Sequence, residues 1–493
     1  MTGDVLRPLR VEYEDVRAVM DASTQGVGWV KQEFYGVDLS DERLDRRLII
    51  TAGKLAQSPS APINEACGDW STTHASYRLF NNVKASVKAI LAPHVKSTVK
   101  RMRAHGGTIL AVQDSVFFSY GQHPKTREIG PIGKSNSEKE RGLVQHNALA
   151  FTTSGVPLGV LSQHTWARKE VPQETPQEKV ERVQRTSIEK KESGKWLTAL
   201  RETRERTPTG VKLVTVADRE SDIYEFIAEA QAHQDHFLIR ARWDRKLVVE
   251  DSEECASLLD ALADQPVLGG LKVQIPSNGK RKARAANIEV RTAHVMLKPP
   301  TLCVGSEPLS VHVVWACEVH APADEDALSW VLLTNLPVRN LAEVIEKIEW
   351  YGLRWGIETW HKVLKSGCKV ENCLLETGTR LKRYLALFSI IAVRLMYVTY
   401  VARARPDAPA TEVFSAEEIE ALHVRLKMIP PAAAQPPKLR ETVRMIGGLG
   451  GHLGRKCDGE PGITVLWRGL TRLYEDVQML RGCKQLWAVG NSS

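Results

Sequence analysis

Two aspartates follow apolar runs in a way that could place both carboxylates at one site. Asp114 ends the run 108–114, and Asp218 follows the run 211–217. Both runs are typical of buried strands, and in an open α/β sheet ligands bind at the carboxyl ends of the strands. Carboxylates at that edge suit divalent cations, which prefer hard oxygen ligands. Either aspartate taken alone is more simply explained as a turn-forming or helix-capping residue.

A third group of polar side chains lies in the segment 350–365. If that segment is one α-helix, four of its residues fall within an arc of about 60° on one face: Tyr351, Arg354, Glu358 and Lys365. Glu358 would add a third carboxylate and complete a site for two metal ions. The spacing alone also fits a salt-bridged solvent face, but together with the two strand-end aspartates it favours the metal site.

The order and spacing of these residues resemble those of the cut-and-paste DDE transposases of the Tn-five type, in the IS-four family of insertion sequences. The resemblance rests on Asp114, on the motif Asp-Arg-Glu-Ser-Asp at 218–222 and on the spacing Tyr-x2-Arg-x3-Glu-x6-Lys at 351–365. Trp330, placed before Tyr351, and the Gly-rich stretch before Trp467 extend it over nearly the whole chain.

This resemblance implies an α/β fold with an RNase H-like (retroviral-integrase-like) catalytic core, a β-rich insertion, and flanking helical N- and C-terminal domains. The expected order is a DNA-end-binding domain, the first part of the core, the insertion with a basic turn at 277–284, the second part of the core with the Tyr-Arg-Glu-Lys helix, and a dimerisation domain. Their expected bounds are 1–75, 76–241, 242–325, 326–405 and 406–493.

The resemblance also implies roles for single residues. Asp114, Asp218 and Glu358 would be the catalytic metal ligands for two Mg²⁺ ions, with Mn²⁺ as a substitute. Such ions would support strand nicking, hairpin formation and opening, and strand transfer into target DNA, without a covalent protein intermediate. The candidate DNA contacts are Tyr351, Arg354, Lys365, Trp330, Arg219 and Arg240.

The DNA contacts differ in kind. Arg354 and Lys365 match positions that bind phosphates near the cleaved end, where Arg binds bidentately and Lys acts as a point charge. Trp330 matches the aromatic that receives a flipped base, although an aromatic in an apolar strand is also typical of a core. Arg219 and Arg240 fit either phosphate contacts or structural ion pairs.

Composition agrees with a DNA-binding enzyme of several domains. The chain has 493 residues, a net charge of +8 and 43% hydrophobic residues, which excludes collagen-like and wholly disordered proteins. Its most apolar stretch, 384–393, is interrupted by Arg394, so no membrane span is expected. The N-terminus lacks the apolar core of a signal peptide. Eight cysteines without a C-x-x-C pair suggest reduced thiols.

We therefore expect a bacterial cytoplasmic protein that acts on nucleoid DNA. Its partners would be double-stranded DNA, both transposon ends and target, and a second copy of the chain in the synaptic complex, with no membrane. Two alternatives remain open at this point. One is a catalytically idle DNA-binding derivative or regulator, and the other is a general metal-dependent nuclease.

Overall fold

The computed structural model describes residues 28–490 except for the short stretches 134–135, 171, 249–255, 276–282, 302, 304, 323–324, 326, 433–434 and 456–457. The region examined for a signal peptide and most of the basic turn at 277–284 lie outside the described residues. The rest divides into two compact units. The first unit comprises Gly106–Asp114 and Gln173–Gly356, and the second comprises residues 28–105, Ser115–Pro172 and 357–490.

Helices predominate at both ends of the described chain, and strands lie between them. The helices are α1 Gly28–Glu33, α2 Glu42–Gln57, α3 Ile63–Cys67, α4 Trp70–Asn81, α5 Val87–His105, α6 Pro176–Arg185, α7 Gly194–Arg206, α8 Tyr224–Ala232, α9 Leu258–Ala263, α10 Leu341–Gly352, α11 Trp355–Lys362, α12 Gly378–Ala404, α13 Ala416–Arg425, α14 Leu439–Leu449 and α15 Ile463–Gly490. The strands are β1 Thr108–Ser119, β2 Gly130–Pro131, β3 Arg141–Thr152, β4 Pro157–Trp166, β5 Lys212–Ala217, β6 His236–Arg240, β7 Gly269–Ile275, β8 Arg284–Leu297, β9 Leu309–Val319 and β10 Ser329–Thr334.

In the first unit, parallel strands carry the two aspartates. The first half of β1 pairs in parallel with β5, and β5 pairs in parallel with β6. The continuous apolar run of β5 is typical of a parallel strand that is buried on both faces. Helices α7 and α8 contribute Trp196 and Phe226 to the hydrophobic core, where Phe226 lies edge-on to Phe237 of β6.

The predicted β-rich insertion extends the same sheet. Strand β10 pairs antiparallel with β6 on one side and with β9 on the other. Beyond β9 the antiparallel strands β8 and β7 follow in order. The insertion therefore adds strands next to β10 and places Trp330, on β10, one strand away from Arg240, on β6.

In the second unit, the remainder of β1 is hydrogen-bonded to β3. Strands β3 and β4 pair antiparallel on either side of residues 153–156 and form a hairpin, as the turn-forming stretch Thr-Thr-Ser-Gly at 152–155 indicates. Helices α5 and α12 pack against β4. The strand pairing of each unit, parallel for β5 and β6 and antiparallel for β3 and β4, agrees with the RNase H-like α/β core that the sequence predicted.

Helix α12 is long and apolar enough to cross a membrane by length and composition alone. However, 89% of its most apolar stretch is buried inside the protein. Trp360 Nε1 donates a hydrogen bond to the carbonyl of Ser389, and Arg383 donates one to the carbonyl of Phe80. A helix that is apolar all round and covered by neighbours is typical of a core.

Candidate active site

The two aspartates lie level with each other on neighbouring parallel strands. The register of β1 and β5 pairs Val112 with Val216, and the next side chains on the same face of each strand are Asp114 and Asp218. The prediction that Asp114 ends its strand is wrong, since β1 continues to Ser119. The parallel pairing nevertheless ends beside it, so both carboxylates lie at the carboxyl end of the paired segments, where ligands bind in such sheets.

Asp218 is held by the turn that follows β5. Its Oδ1 accepts a hydrogen bond from the backbone N–H of Glu220 at 2.9 Å, and its carbonyl accepts one from Ser221 Oγ at 2.6 Å. The capping role proposed as the simple explanation of this residue is therefore real. It also fixes the carboxylate, which stays half-exposed at the end of the strand.

Arg354 contacts the first aspartate and is itself buried. Its Nη1 lies 3.5 Å from Asp114 Oδ2, and the residue is 8% exposed. The guanidinium carbon lies 5.0 Å from the ring centroid of Trp355 and 6.0 Å from that of Tyr351. Arg stacks on aromatic faces in this way while keeping its donors in a fixed fork. The arrangement holds a permanent positive charge beside the Asp114 carboxylate.

Tyr351 links this cation to the predicted base-stacking aromatic. The rings of Tyr351 and Trp330 have their centroids 6.4 Å apart. Burial raises the pKa of the Tyr351 phenol, Arg354 and Arg240 oppose that rise, and the negative charge of Asp218 adds to it. The phenol is therefore protonated at neutral pH.

The two remaining candidate arginines occupy different environments. Arg240, at the end of β6, is half-buried and donates from Nη2 to the carbonyl of Ser329 at 2.8 Å. This bond anchors Arg240 beside Trp330. Arg219 is exposed in the turn that Asp218 caps.

The prediction that segment 350–365 is one regular α-helix is wrong. Helix α10 ends at Gly352 and α11 begins at Trp355, and the junction is tightened by a hydrogen bond from Arg354 N to the carbonyl of Tyr351. A π-turn then spans Val363–Gly367, closed by a hydrogen bond from Cys368 N to the carbonyl of Val363. Since the turn angle changes twice, a count of 100° per residue does not describe one shared face.

Glu358 and Lys365 belong to the second unit. Glu358 is half-exposed on α11, whose neighbouring residues Ile357 and Trp360 are fully buried. Lys365 lies in the π-turn, where its Nζ is 3.4 Å from Glu371 Oε1 and its side chain is 37% exposed. The π-turn is in turn covered by α15, because a Cβ on Gly367 would lie 2.9 Å from the Trp467 ring.

The candidate residues thus fall into two groups. The first unit brings together Asp114, Asp218, Tyr351, Arg354, Trp330 and Arg240, with Arg219 nearby in the turn. Within the parts of the chain that the structure describes, no cluster of three or more His, Cys, Asp or Glu residues is arranged to hold a metal ion. The in-register carboxylates of Asp114 and Asp218 are nevertheless the hard oxygen donors that Mg²⁺ and Mn²⁺ prefer.

Sequence reasoning missed a buried ion pair that supports this site. Asp222, whose side chain is completely buried, accepts a hydrogen bond from Arg245 Nε at 2.8 Å and one from Arg242 N at 2.8 Å. It also accepts a bond from Trp243 N at 3.3 Å. The only sequence signal was the second aspartate of the motif at 218–222, because the partner Arg245 lies beyond a helix and a strand.

The chain matches three protein families along its length. Residues 27–85 match the family described as transposase DNA-binding, residues 178–394 match the transposase DDE domain, and residues 390–486 match the transposase Tn5 dimerisation domain. The matched segments follow one another in the order expected from the sequence.

A solved structure of another transposase is also similar. It is a cryo-EM structure of the piggyBac transposase synaptic complex with hairpin DNA. The identity is 10%, the alignment covers 80% of this chain and 77% of that one, and the TM-score is 0.32. A TM-score this low does not by itself establish a shared fold.

The three family matches identify the chain. The DNA-binding and dimerisation families name its partners as DNA and a second copy of itself. The DDE family names its chemistry as metal-dependent phosphoryl transfer on DNA. Together with the α/β core and its two in-register aspartates, these matches show that the chain belongs to the Tn5-like DDE transposases.

Proposed function

We propose that this transposase works by cut-and-paste transposition and that Asp114, Asp218 and Glu358 are its catalytic metal ligands. The observation that carries the proposal is the register of β1 and β5, which brings two carboxylates level at the ligand-binding end of a parallel pair. Glu358 is the third ligand because it is the half-exposed carboxylate at the matching place in the Tyr-Arg-Glu-Lys spacing.

The metal ions are proposed to be two Mg²⁺ per active site, with Mn²⁺ able to replace them. When bound, such ions activate an attacking oxygen and stabilise the leaving one in an in-line displacement at phosphorus. Asp114 and Asp218 would supply oxygen ligands from fixed positions, since Asp218 is held by its turn and Asp114 by strand β1. Arg354, buried beside Asp114, would bind a phosphate oxygen near the cut and orient the scissile strand.

The proposed sequence of reactions is nicking by water, hairpin formation, hairpin opening and strand transfer into target DNA. Trp330 would stack on a base flipped out when the hairpin forms, and Tyr351 would support it from the adjacent position. Lys365, Arg219 and Arg240 would contact phosphates along the bound end. DNA can reach Trp330, Lys365 and Arg240, which are partly exposed, and Arg219, which is exposed. Tyr351 is 5% exposed and would act through its contact with the Trp330 ring.

The predicted domain bounds and location are part of the same proposal. Residues 1–75 would bind the transposon ends, 76–241 and 326–405 would form the catalytic core around the insertion 242–325, and 406–493 would dimerise. The protein would act in the bacterial cytoplasm on nucleoid DNA. The basic net charge of the chain, +8, favours such a polyanionic partner.

The decisive experiment is cleavage of the DNA that flanks this gene, with purified protein and Mg²⁺, on a denaturing gel. We expect cuts at two inverted ends and a hairpin species. Asp114→Asn, Asp218→Asn and Glu358→Gln should each abolish cleavage and retain DNA binding. Glu220→Gln is the matched control, because this exposed carboxylate lies two residues from Asp218 and pairs with Lys195; it should cleave normally.

Three results would contradict the proposal. Cleavage retained in one triad variant would remove that residue from the metal ligands. Binding without any cleavage by the unchanged protein would favour an idle derivative that regulates transposition. Cleavage of any duplex, without preference for the ends and without joining, would favour a general nuclease.

A further inference from the structure

A line of hydrogen-bonded polar side chains runs from Thr165 on β4 through β3 to helix α11. Gln145 and Asn147, both on β3, have no exposed surface. Thr165 of β4 is the cross-strand partner of Gln145. Polar groups buried this deeply are costly unless each one has a hydrogen-bond partner, so the partners of this line determine its direction.

The hydrogen bonds of the line run in one direction. Thr165 Oγ1 donates to Gln145 Oε1 at 3.1 Å, and Gln145 Nε2 donates to Asn147 Oδ1 at 2.9 Å. Because Asn147 Oδ1 already accepts, its Nδ2 is the atom that faces His361 Nε2, at 3.4 Å. An amide nitrogen only donates. His361 Nε2 must therefore accept, and its ring carries the proton on Nδ1.

His361 is well placed to transmit this contact to the proposed catalytic glutamate. It lies on α11 three residues after Glu358, which puts the two side chains on neighbouring parts of the helix surface. His361 is 8% exposed, whereas Glu358 is half-exposed. The contact with Asn147 thus holds the buried edge of the face that presents Glu358.

Helix α11 needs such a contact because no regular α-helical turn continues it at either end. It has eight residues, it begins directly after the tightened junction at 353–354, and the π-turn follows it. Its rotation about its own axis is therefore set by side chains on its buried face. Trp360 supplies one anchor, through Ser389 of α12, and His361 supplies another, through β3.

We propose that Asn147 is a positioning residue for Glu358 and acts through His361. This proposal rests on the proposed function of Glu358 as a metal ligand. Partners that orient metal ligands from one shell further out typically change metal affinity or activity by about 10- to 100-fold when they are removed. Asn147 therefore sets how well Glu358 is aimed and takes no part in the reaction itself.

The test uses the 493-residue chain with four variants. Asn147→Leu keeps the side-chain volume and removes the donor, and we expect cleavage at low Mg²⁺ to fall about 10- to 100-fold, with partial recovery at high Mg²⁺ and unchanged binding to the transposon end. His361→Leu should behave like Asn147→Leu. His361→Gln should retain more activity, because its Oε1 can still accept from Asn147. Thr152→Val is the matched control, since Thr152 is equally buried on β3 but bonds to Ser154 and Val156.

A spectroscopic measurement tests the hydrogen-bond line without metal or DNA. With ¹⁵N-labelled histidine, the His361 signals, assigned by their loss in His361→Gln, should show an unprotonated Nε2 and a protonated Nδ1. Asn147→Asp replaces the donor by an acceptor, so it should move a proton onto Nε2.

The outcomes separate the two proposals. If Asn147→Leu and Thr152→Val reduce cleavage equally, or if the Mg²⁺ dependence of Asn147→Leu equals that of the unchanged protein, the positioning role is refuted. A protonated Nε2 in the unchanged protein refutes the direction of the line. If Glu358→Gln still cleaves, the proposed function of Glu358 fails, and this result is independent of the histidine spectrum.

Discussion

The buried pair of Asp222 and Arg245 gives the sharpest test of how the first unit holds its site. Replacing Asp222 by Ala removes the partner of a guanidinium whose side chain is 8% exposed. It also removes the acceptor of two backbone N–H groups, at Arg242 and Trp243. Breaking a buried ion pair by removing one partner costs about 3–5 kcal/mol, mainly because the other charge stays buried.

One remaining contact limits that cost. Arg245 Nη2 also donates to the carbonyl of Asp222 at 3.0 Å, a bond that Asp222→Ala retains. We therefore expect a loss of about 4 kcal/mol in the free energy of unfolding, and for a unit of this size a fall of about 8–16 °C in Tm. Asp222→Asn should cost less, because its amide oxygen still accepts from the backbone.

Calorimetry of the whole chain, with hydrogen exchange of the amides at 236–248 to locate the effect, provides the assay. The double variant Asp222→Ala with Arg245→Met should recover about half of the loss, since it removes the unpaired charge and leaves only the missing acceptor for the two N–H groups. A cost below about 1 kcal/mol for Asp222→Ala, or no recovery in the double variant, would show that the pair does not hold this segment.

Three further outcomes are expected. Lys365→Ala should weaken binding near the cut end and reduce the salt dependence of binding by about one phosphate contact, whereas Lys362→Ala should not. Equal salt slopes for the two variants would mean that Lys365 makes no phosphate contact. Burial lowers the pKa of His94 below its ordinary 6.5, so the second unit should lose stability as the pH falls below about 6.5. His94→Gln should lessen the loss of unfolding free energy between pH 7.5 and 5.5, measured by urea denaturation. An equal loss in both proteins would exclude His94 as the cause. Trp330→Ala should slow hairpin formation more than the first nick on denaturing gels, and Trp330→Phe should retain it; equal slowing of both steps by Trp330→Ala would argue against base stacking.

The acid sensitivity predicted for His94 involves Glu33, which contacts both His94 and Arg101 in the second unit. Burial by itself would raise the pKa of Glu33, but Arg101 and His94 outweigh that effect and lower it. His94 Nε2 accepts from Val160 N at 2.9 Å, so the neutral ring donates from Nδ1 to Glu33. Protonation of either residue at low pH would therefore break contacts that the folded second unit needs.

Much of the core could be predicted because its signals are local. The apolar runs before Asp114 and Asp218 form parallel strands as expected, and the Thr-Thr-Ser-Gly stretch forms the hairpin between β3 and β4. The continuation of β1 past Asp114 could not be predicted, because a strand end was inferred where the apolar run stops. The strand continues since Tyr120 N and the carbonyl of Arg141 hydrogen-bond within the second unit.

The shape of the segment 350–365 depended on contacts that spacing does not reveal. The four polar residues are present, yet the α-helix is interrupted at 353–354 and again by the π-turn. The packing of Trp467 on Gly367 joins residues 100 positions apart, which sequence periodicity does not connect. For the same reason the contacts of Asp222 with Arg245 and of Asn147 with His361 could not be predicted from the sequence.

The contact between Trp467 and Gly367 has a consequence for how mutations in this gene would be interpreted. Most of helix α15 lies within the match to the dimerisation family, so stop codons in this segment would ordinarily be attributed to failed pairing of two chains. A stop before codon 467 would also remove the indole that covers the turn carrying Lys365. In a genetic screen, we therefore expect such alleles to include chains that have lost both pairing and the placement of Lys365, the lysine proposed to contact DNA. A dimer restored by an unrelated fused domain would not rescue them.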